Sequence, residues 1–244
     1  MRNEFTNRRG LFVYGGESSA DFGMVVAEPP AFDRPSRKQT VYKVPGKNGA
    51  AIIQQDAWED ITRTYSVWLT DSKEKSLVAF IDGAMAWLNS GSGYQRLEDS
   101  FEPDTFRLAY FSGSADIENK LLQAGVANIR FTCRPERFYK TGEQPLDISG
   151  ADPVFNPTRY KAKPLLHIEG SGEVKLTISG QQITASITDY INIDCETMNA
   201  YREPTENKNA EISGVFPTLN PGVNSISITG TVTAATLTPR FFTI

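Results

Sequence analysis

Apolar and polar residues alternate with a period of two along much of this chain, and recur with a period near 3.6 in one stretch. Over residues 61–69, Ile61, Tyr65, Val67 and Leu69 share one face, interrupted by Arg63, while Thr62, Thr64, Ser66 and Trp68 share the other. Residues 127–133 alternate as cleanly: Ala127, Ile129, Phe131 and Cys133 face one way and Asn128, Arg130 and Thr132 the other, until Pro135 stops the run. Shorter apolar runs at 11–14, 23–28, 41–44, 94–98 and 105–111, most of them beside Gly, Ser or Asp, predict further strands. The helical stripe is Leu77, Ile81, Met85 and Leu88, widened by Phe80, Ala84 and Trp87. It predicts a helix over about 72–89, opened by an Asp71/Glu74 capping box and closed at Asn89-Ser90-Gly91. Gly83 inside it costs about 1 kcal/mol relative to Ala. A stripe this wide must cover the face or open end of a sheet.

The pattern changes near the middle of the chain. Pro145, Gly150, Pro153 and Pro157 fall in a stretch with little periodicity, so residues 141–160 read as a connector between a domain at 1–140 and another at 161–244. Beyond 160 there is no helical stripe. Short Thr- and Ile-rich segments at 165–169, 174–179, 182–188, 190–196, 224–229 and 231–237 are separated by turn residues such as Asn-Pro-Gly, and predict a β-sandwich. The fold class is therefore mainly β: an N-terminal domain of strands with one α-helix, followed by a C-terminal β-sandwich.

Composition narrows the function classes. The chain has 244 residues, 39% hydrophobic and 22% charged, which is globular and not disordered. A net charge of −4 argues against a broad nucleic-acid face, and the close basic clusters Arg8/Arg9 and Arg34/Arg37/Lys38 read as solvated surface or subunit contacts. No apolar run approaches the roughly 18 residues of a membrane span, and MRNEFTNRRG is not followed by the apolar core of a signal peptide. Folding in a cytoplasm, without membrane, is expected. Cys133 and Cys195 lie in different predicted domains and read as buried apolar residues, not as a disulfide.

Catalytic signatures are sparse, and no catalytic residue, cofactor or metal is expected. His167 is the single histidine and no Gly-x-Ser-x-Gly elbow accompanies it. Asp194 and Glu196, two apart on a predicted strand, have roughly the 6.5–7 Å backbone spacing that a glycosidase pair tolerates, but any polar strand face produces it. Tyr190 and Tyr201 are the nearby aromatic residues that could stack on a sugar. Gly46-Lys47-Asn48-Gly49 lacks the phosphate-loop spacing and predicts a turn. Trp58, Trp68 and Trp87 each read as core or interface residues. No zinc or calcium motif is present.

Four segments, in order along nearly the whole chain, resemble the distal tail protein family of phages with long, non-contractile tails. They are Lys43-Val-Pro-Gly-Lys-Asn-Gly-Ala-Ala-Ile52, with Lys47 where the family often has Arg; Ile129-Arg-Phe-Thr-Cys-Arg-Pro-Glu-Arg-Phe-Tyr139; Phe155-Asn-Pro-Thr158 followed by Lys163-Pro-Leu-Leu-His-Ile-Glu-Gly-Ser-Gly172; and Gly214-Val-Phe-Pro-Thr-Leu-Asn-Pro-Gly-Val-Asn-Ser-Ile226. The last is the most specific, because two prolines, two glycines and an asparagine are fixed by spacing.

The resemblance implies a structural protein without catalytic activity. Its N-terminal domain would be a β-sandwich with one α-helix and an extended hairpin arm and would build a homo-hexameric ring, and its C-terminal domain would be a galectin-like β-sandwich. The implied partners are the major tail tube protein on one side and a tail-tip or tail-associated lysin protein on the other, with DNA only in transit through the central channel. The implied location is the distal end of the virion tail, after synthesis in the bacterial host cytoplasm. Residues 45–60 are the candidate inter-subunit arm, with Lys47, Asn48, Ile52, Ile53 and Trp58 as the contact residues. A carbohydrate-binding β-sandwich module is the alternative.

Overall fold

The computed structural model describes residues 10–31, 33–69, 77–113 and 126–244, with the backbone alone for 77–80. The chain divides into two compact units, Met1–Arg137 together with Ile244, and Phe138–Thr243. Both are built almost wholly of strands, with one α-helix among the described residues.

The first unit contains β1 (Phe12–Tyr14), β2 (Glu17–Ser18), β3 (Met24–Val26), β4 (Arg37–Lys43), β5 (Ala50–Trp58), β6 (Ile61–Leu69), α1 (Leu77–Leu88), β7 (Gln95–Asp99), β8 (Thr105–Phe111) and most of β9 (Val126–Tyr139). One curled sheet runs in the order β2-β1-β7-β8-β9-β6-β3. The alternation read from residues 61–69 and 127–133 is realised directly: β6 and β9 pair antiparallel with Tyr65 opposite Ile129, so both apolar sets face one core. The helical stripe closes that core. Ile81, Ala84, Trp87 and Leu88 are buried, and Trp87 stacks on Phe22 and Phe12 while its Nε1 donates to Tyr14 O at 3.0 Å. At its end, Met85 O accepts from both Asn89 N and Asn89 Nδ2, and Trp87 O from both Ser90 N and Ser90 Oγ, so the side chains reinforce the last backbone bonds. The expected Asp71/Glu74 cap lies outside the described residues, as do Arg8 and Arg9.

Arg63, the interruption in the apolar face of β6, points into the same interior and is only 2% exposed. Its guanidinium donates to Asp99 Oδ2 and to Ala31 O, and Glu102 lies 3.6 Å away. Trp68, by contrast, stands on the outer face and is exposed.

The second unit contains β10 (Leu146–Asp147), β11 (Val154–Asn156), β12 (Leu165–Ile178), β13 (Gln181–Ile187), β14 (Tyr190–Asp194), β15 (Asn199–Tyr201), β16 (Ile212–Gly214), β17 (Gly222–Asn224), β18 (Ile226–Thr238) and β19 (Phe242–Thr243). Two 14- and 13-residue strands, β12 and β18, pair along their length and form its spine. The first half of β12 also pairs with β14, and the second half with β13. Segments predicted as separate strands on either side of residues 170–172 and 230 are thus single strands. The turn-like glycines mark bulges, not breaks: the register shifts between Glu169 and Gly170 and again between Ser171 and Lys175. Gly230 sits at the second shift with φ 119°, and a Cβ there would lie 2.4 Å from Glu173 O.

Residues 141–160, read as a connector, are part of this unit. Leu146 and Asp147 pair with β18, Val154–Asn156 pair with β17, and Ile148 and Val154 join the buried core with Leu166, Ile193 and Leu237. Two buried asparagines fasten the irregular segments. Asn156 Nδ2 donates to Tyr160 O and Leu219 O, while its Oδ1 accepts from Thr158. Asn224 Nδ2 donates to Asn220 O and Gly222 O, and its Oδ1 accepts from Asn220 N and Ser179 Oγ. Asn156 and Asn224, conspicuous in 155–158 and 214–226, therefore hold loops in place.

Candidate functional site

β4 and β5 form a sheet of their own. Their antiparallel register places Val41 opposite Ile52, Thr40 opposite Ile53 and Tyr42 opposite Ala51. Opposed residues share a face and successive residues alternate. Val41 and Ile52 therefore lie on one side, with Tyr42, Ala51 and Ile53 on the other. Both sides are open to solvent: Ile52 is 58% and Ile53 56% exposed, and Val41 and Tyr42 are exposed to a similar degree.

The ends of the ribbon are well defined. At the tip, Lys47 N donates to Val44 O, and Gly46 and Gly49 take the left-handed φ values that let the chain reverse. Lys47 and Asn48 thus sit at the extremity. At the base, Trp58 pairs with Arg37, whose guanidinium lies 5.2 Å from the indole centroid. Glu59 N donates to Ser36 O at 2.9 Å and closes the root. The five predicted contact residues consequently occupy three places: Lys47 and Asn48 at the tip, Ile52 and Ile53 on opposite faces of the shaft, and Trp58 at the base. The sequence reading missed Tyr42 and Arg37 as ribbon residues and missed that β4 begins as early as Arg37. An exposed two-sided strand has no buried face to impose alternation, so the turn at 45–49 was its main signal.

The ribbon is also charged. Arg37, Lys38, Lys43 and Lys47 against Asp56 give it a net +3, in a chain of −4. A cationic, apolar, two-faced ribbon has the chemistry of a docking element.

The residues considered for catalysis are placed otherwise. Asp194 ends β14, and Glu196 lies beyond it in a turn, so the two do not share a strand face. Arg240 engages both, with Nη1 2.6 Å from Asp194 Oδ1 and 3.7 Å from Glu196 Oε2. Asp194 Oδ1 also accepts from Glu196 N. Burial pushes the Asp194 carboxyl up, but the Arg240 hydrogen bond and these backbone bonds outweigh it and hold the pKa below the usual value. That environment favours a permanent anion in an ion pair over a proton donor. His167 Nδ1 meets Asn192 Oδ1 at 2.8 Å and Nε2 faces Glu169 Oε1 at 3.3 Å, so its ring is engaged with an amide and a carboxylate. Cys133 and Cys195 are buried free thiols in different units. Among the described residues no three His, Cys, Asp or Glu side chains converge as metal ligands.

The architecture is similar to that of a solved phage protein. It matches the crystal structure of SPP1 Dit (gp 19.1), described as a paradigm of the hub adsorption apparatus in phages that infect Gram-positive bacteria, with a TM-score of 0.74 over 96% of this chain and 99% of that one. Sequence identity is 14%, so the likeness is one of fold. No family model and no curated protein matches the sequence.

Proposed function

We propose that this chain is a structural protein of a phage tail hub, in which six copies close into a ring at the distal end of the virion tail. The ring joins the tail tube protein to a tail-tip or tail-associated lysin protein and leaves a central channel for DNA. The single observation that carries this reading is the fold shared with SPP1 Dit across nearly the full length of both chains. The β4–β5 ribbon supports it. A closed ring needs a heterologous interface, in which one patch of each subunit meets a different patch of the next. A basic, apolar ribbon that pairs with no other strand among the described residues is suited to be the projecting half of that interface, and the net −7 on the remainder of the chain suits the receiving half. Lys47, Asn48, Ile52, Ile53 and Trp58 are the contacts of this arm.

The test is the mass of the purified chain in solution by light scattering. Six copies of 27.0 kDa give about 160 kDa. Because Ser36 and Glu59 are hydrogen-bonded neighbours, residues 37–58 can be replaced by a short glycine link without disturbing the root. That variant is expected to keep the far-UV spectrum and melting of both units and to remain a monomer. A full-length chain that stays monomeric at every concentration and salt, or a ribbonless chain that still forms hexamers, would overturn the arm assignment.

A further inference from the structure

The outer face of the second unit carries an arrangement that ring assembly does not explain. Across four neighbouring strands, β18-β12-β14-β15, Thr236, His167, Asn192 and Tyr201 stand directly opposite one another in one row. Glu169 and Tyr190 form the next row. All six side chains point away from the core, which takes Leu166, Ile168, Ile191 and Ile193 from the same strands. The His167 and Tyr190 rings lie 5.4 Å apart.

These groups are fixed by one another. His167 bonds Asn192, Asn192 Nδ2 donates to Arg202 O at 3.0 Å, and the Tyr190 hydroxyl donates to Glu203. Arg202 is in turn held by Glu206. Half-exposed planar groups already locked in place lose little freedom on binding.

We infer that this platform is a binding site for a neutral saccharide. A pyranose ring offers a weakly apolar C–H face bordered by hydroxyls that both donate and accept. The platform offers aromatic rings bordered by an imidazole, an amide and carboxylates, all on rigid strands. Three inter-strand gaps of about 4.8 Å make it roughly 14 Å wide, room for about two sugar rings. Other ligand classes fit less well. Glu169, Glu203 and Glu206, with Asp189 beside Tyr190, outnumber Arg202 and Lys208, so an anionic polymer is disfavoured. A protein interface needs an apolar centre, and the middle of this row is His167 and Asn192. The inference rests on the second unit alone and stands apart from ring assembly.

Saturation-transfer NMR on the full-length chain tests it, with lactose, cellotriose and N,N′-diacetylchitobiose as probes. Transfer to at least one sugar is expected, with affinity falling at least about tenfold in the His167→Ala/Tyr190→Ala double variant. Melting of the variant reports that the unit is folded. The Tyr94→Ala/Tyr110→Ala variant, which removes another exposed pair of rings 5.6 Å apart, is expected to bind as the parent does. Absence of transfer to all three sugars, or transfer unchanged in the platform variant, overturns the proposal. So does a platform that ignores the sugars but whose double variant no longer assembles, because that face is then a protein interface.

Discussion

Arg63 Nη2 donates to Asp99 Oδ2 at 2.9 Å, inside the first unit and 36 positions apart in sequence. The Tyr65 hydroxyl donates to the same oxygen at 2.8 Å, and burial, with Asp99 adding to it, pushes that phenol well above its ordinary pKa. A charge placed on an apolar strand face is tolerated here because its partner reaches it from the end of β7. Removing Asp99 leaves the buried Arg63 with only the longer Glu102 contact and the Ala31 carbonyl, and takes the acceptor from the Tyr65 hydroxyl, a loss toward the lower end of about 3–5 kcal/mol. Asp99→Ala is therefore expected to lower unfolding stability in urea by that order. Arg63→Met combined with Asp99→Leu is expected to recover much of it. An Asp99→Ala chain as stable as the parent would show that the pair contributes nothing.

Asn224 is expected to be the costliest loop residue of the second unit. Truncation to Ala strands the backbone groups of Asn220 and Gly222 and the Ser179 hydroxyl together, about 2–3 kcal/mol if the neighbours cannot relax. Asn224→Asp keeps the acceptor but loses the donors, so it is expected to be nearly as damaging. Thermal melting of the two variants against the parent is the measurement.

The Asp194–Arg240 pair makes a prediction about acid. The folded pKa of Asp194 lies below its unfolded value of 3.8, so the folded state binds the proton less readily. The pair's stabilisation is fully present above about pH 4 and is lost as pH falls through the folded value. Asp194→Asn is expected to be less stable than the parent at neutral pH and to show a shallower decline below pH 4. Parallel acid-unfolding curves for the two chains would contradict this.

Both thiols are expected to be silent in the native protein. Burial pushes Cys133 up to about 11 and Cys195 up to about 12, which leaves almost no thiolate near neutrality. A chromogenic disulfide reagent at about pH 8 should titrate neither cysteine until denaturant is added, and then both. Rapid native labelling of either would mean that its unit opens locally.

Regular, one-sided elements were legible in the sequence. Residues 61–69 and 127–133 alternate because one face meets a core, and α1 shows its stripe because it covers one. The rest failed for identifiable reasons. Gly170 and Gly230 looked like strand ends because a bulge and a turn call for the same residue. Ile148 and Val154 were lone apolar residues among prolines, too few to show a period, although both are buried. The ribbon shaft has two wet faces and hence no pattern, and the turn at Lys47-Asn48 carried most of its signal. The platform is assembled from β12, β14, β15 and β18, whose members are distant in sequence and meet through register alone. His167, Tyr190 and Tyr201 could be named beforehand, but their meeting on one face could not.

The closure of the second unit has a mechanical meaning. Its first strand residues and its last lie side by side, with Tyr139 N bonded to Phe241 O at 2.9 Å and Arg240 N to Gly142 O at 2.7 Å. Tension applied through the two ends therefore loads these bonds in sequence, as in a zipper, while the long β12–β18 ladder carries almost none of it. The unit should yield first at this seam under low force and lengthen by a few residues with its sandwich intact.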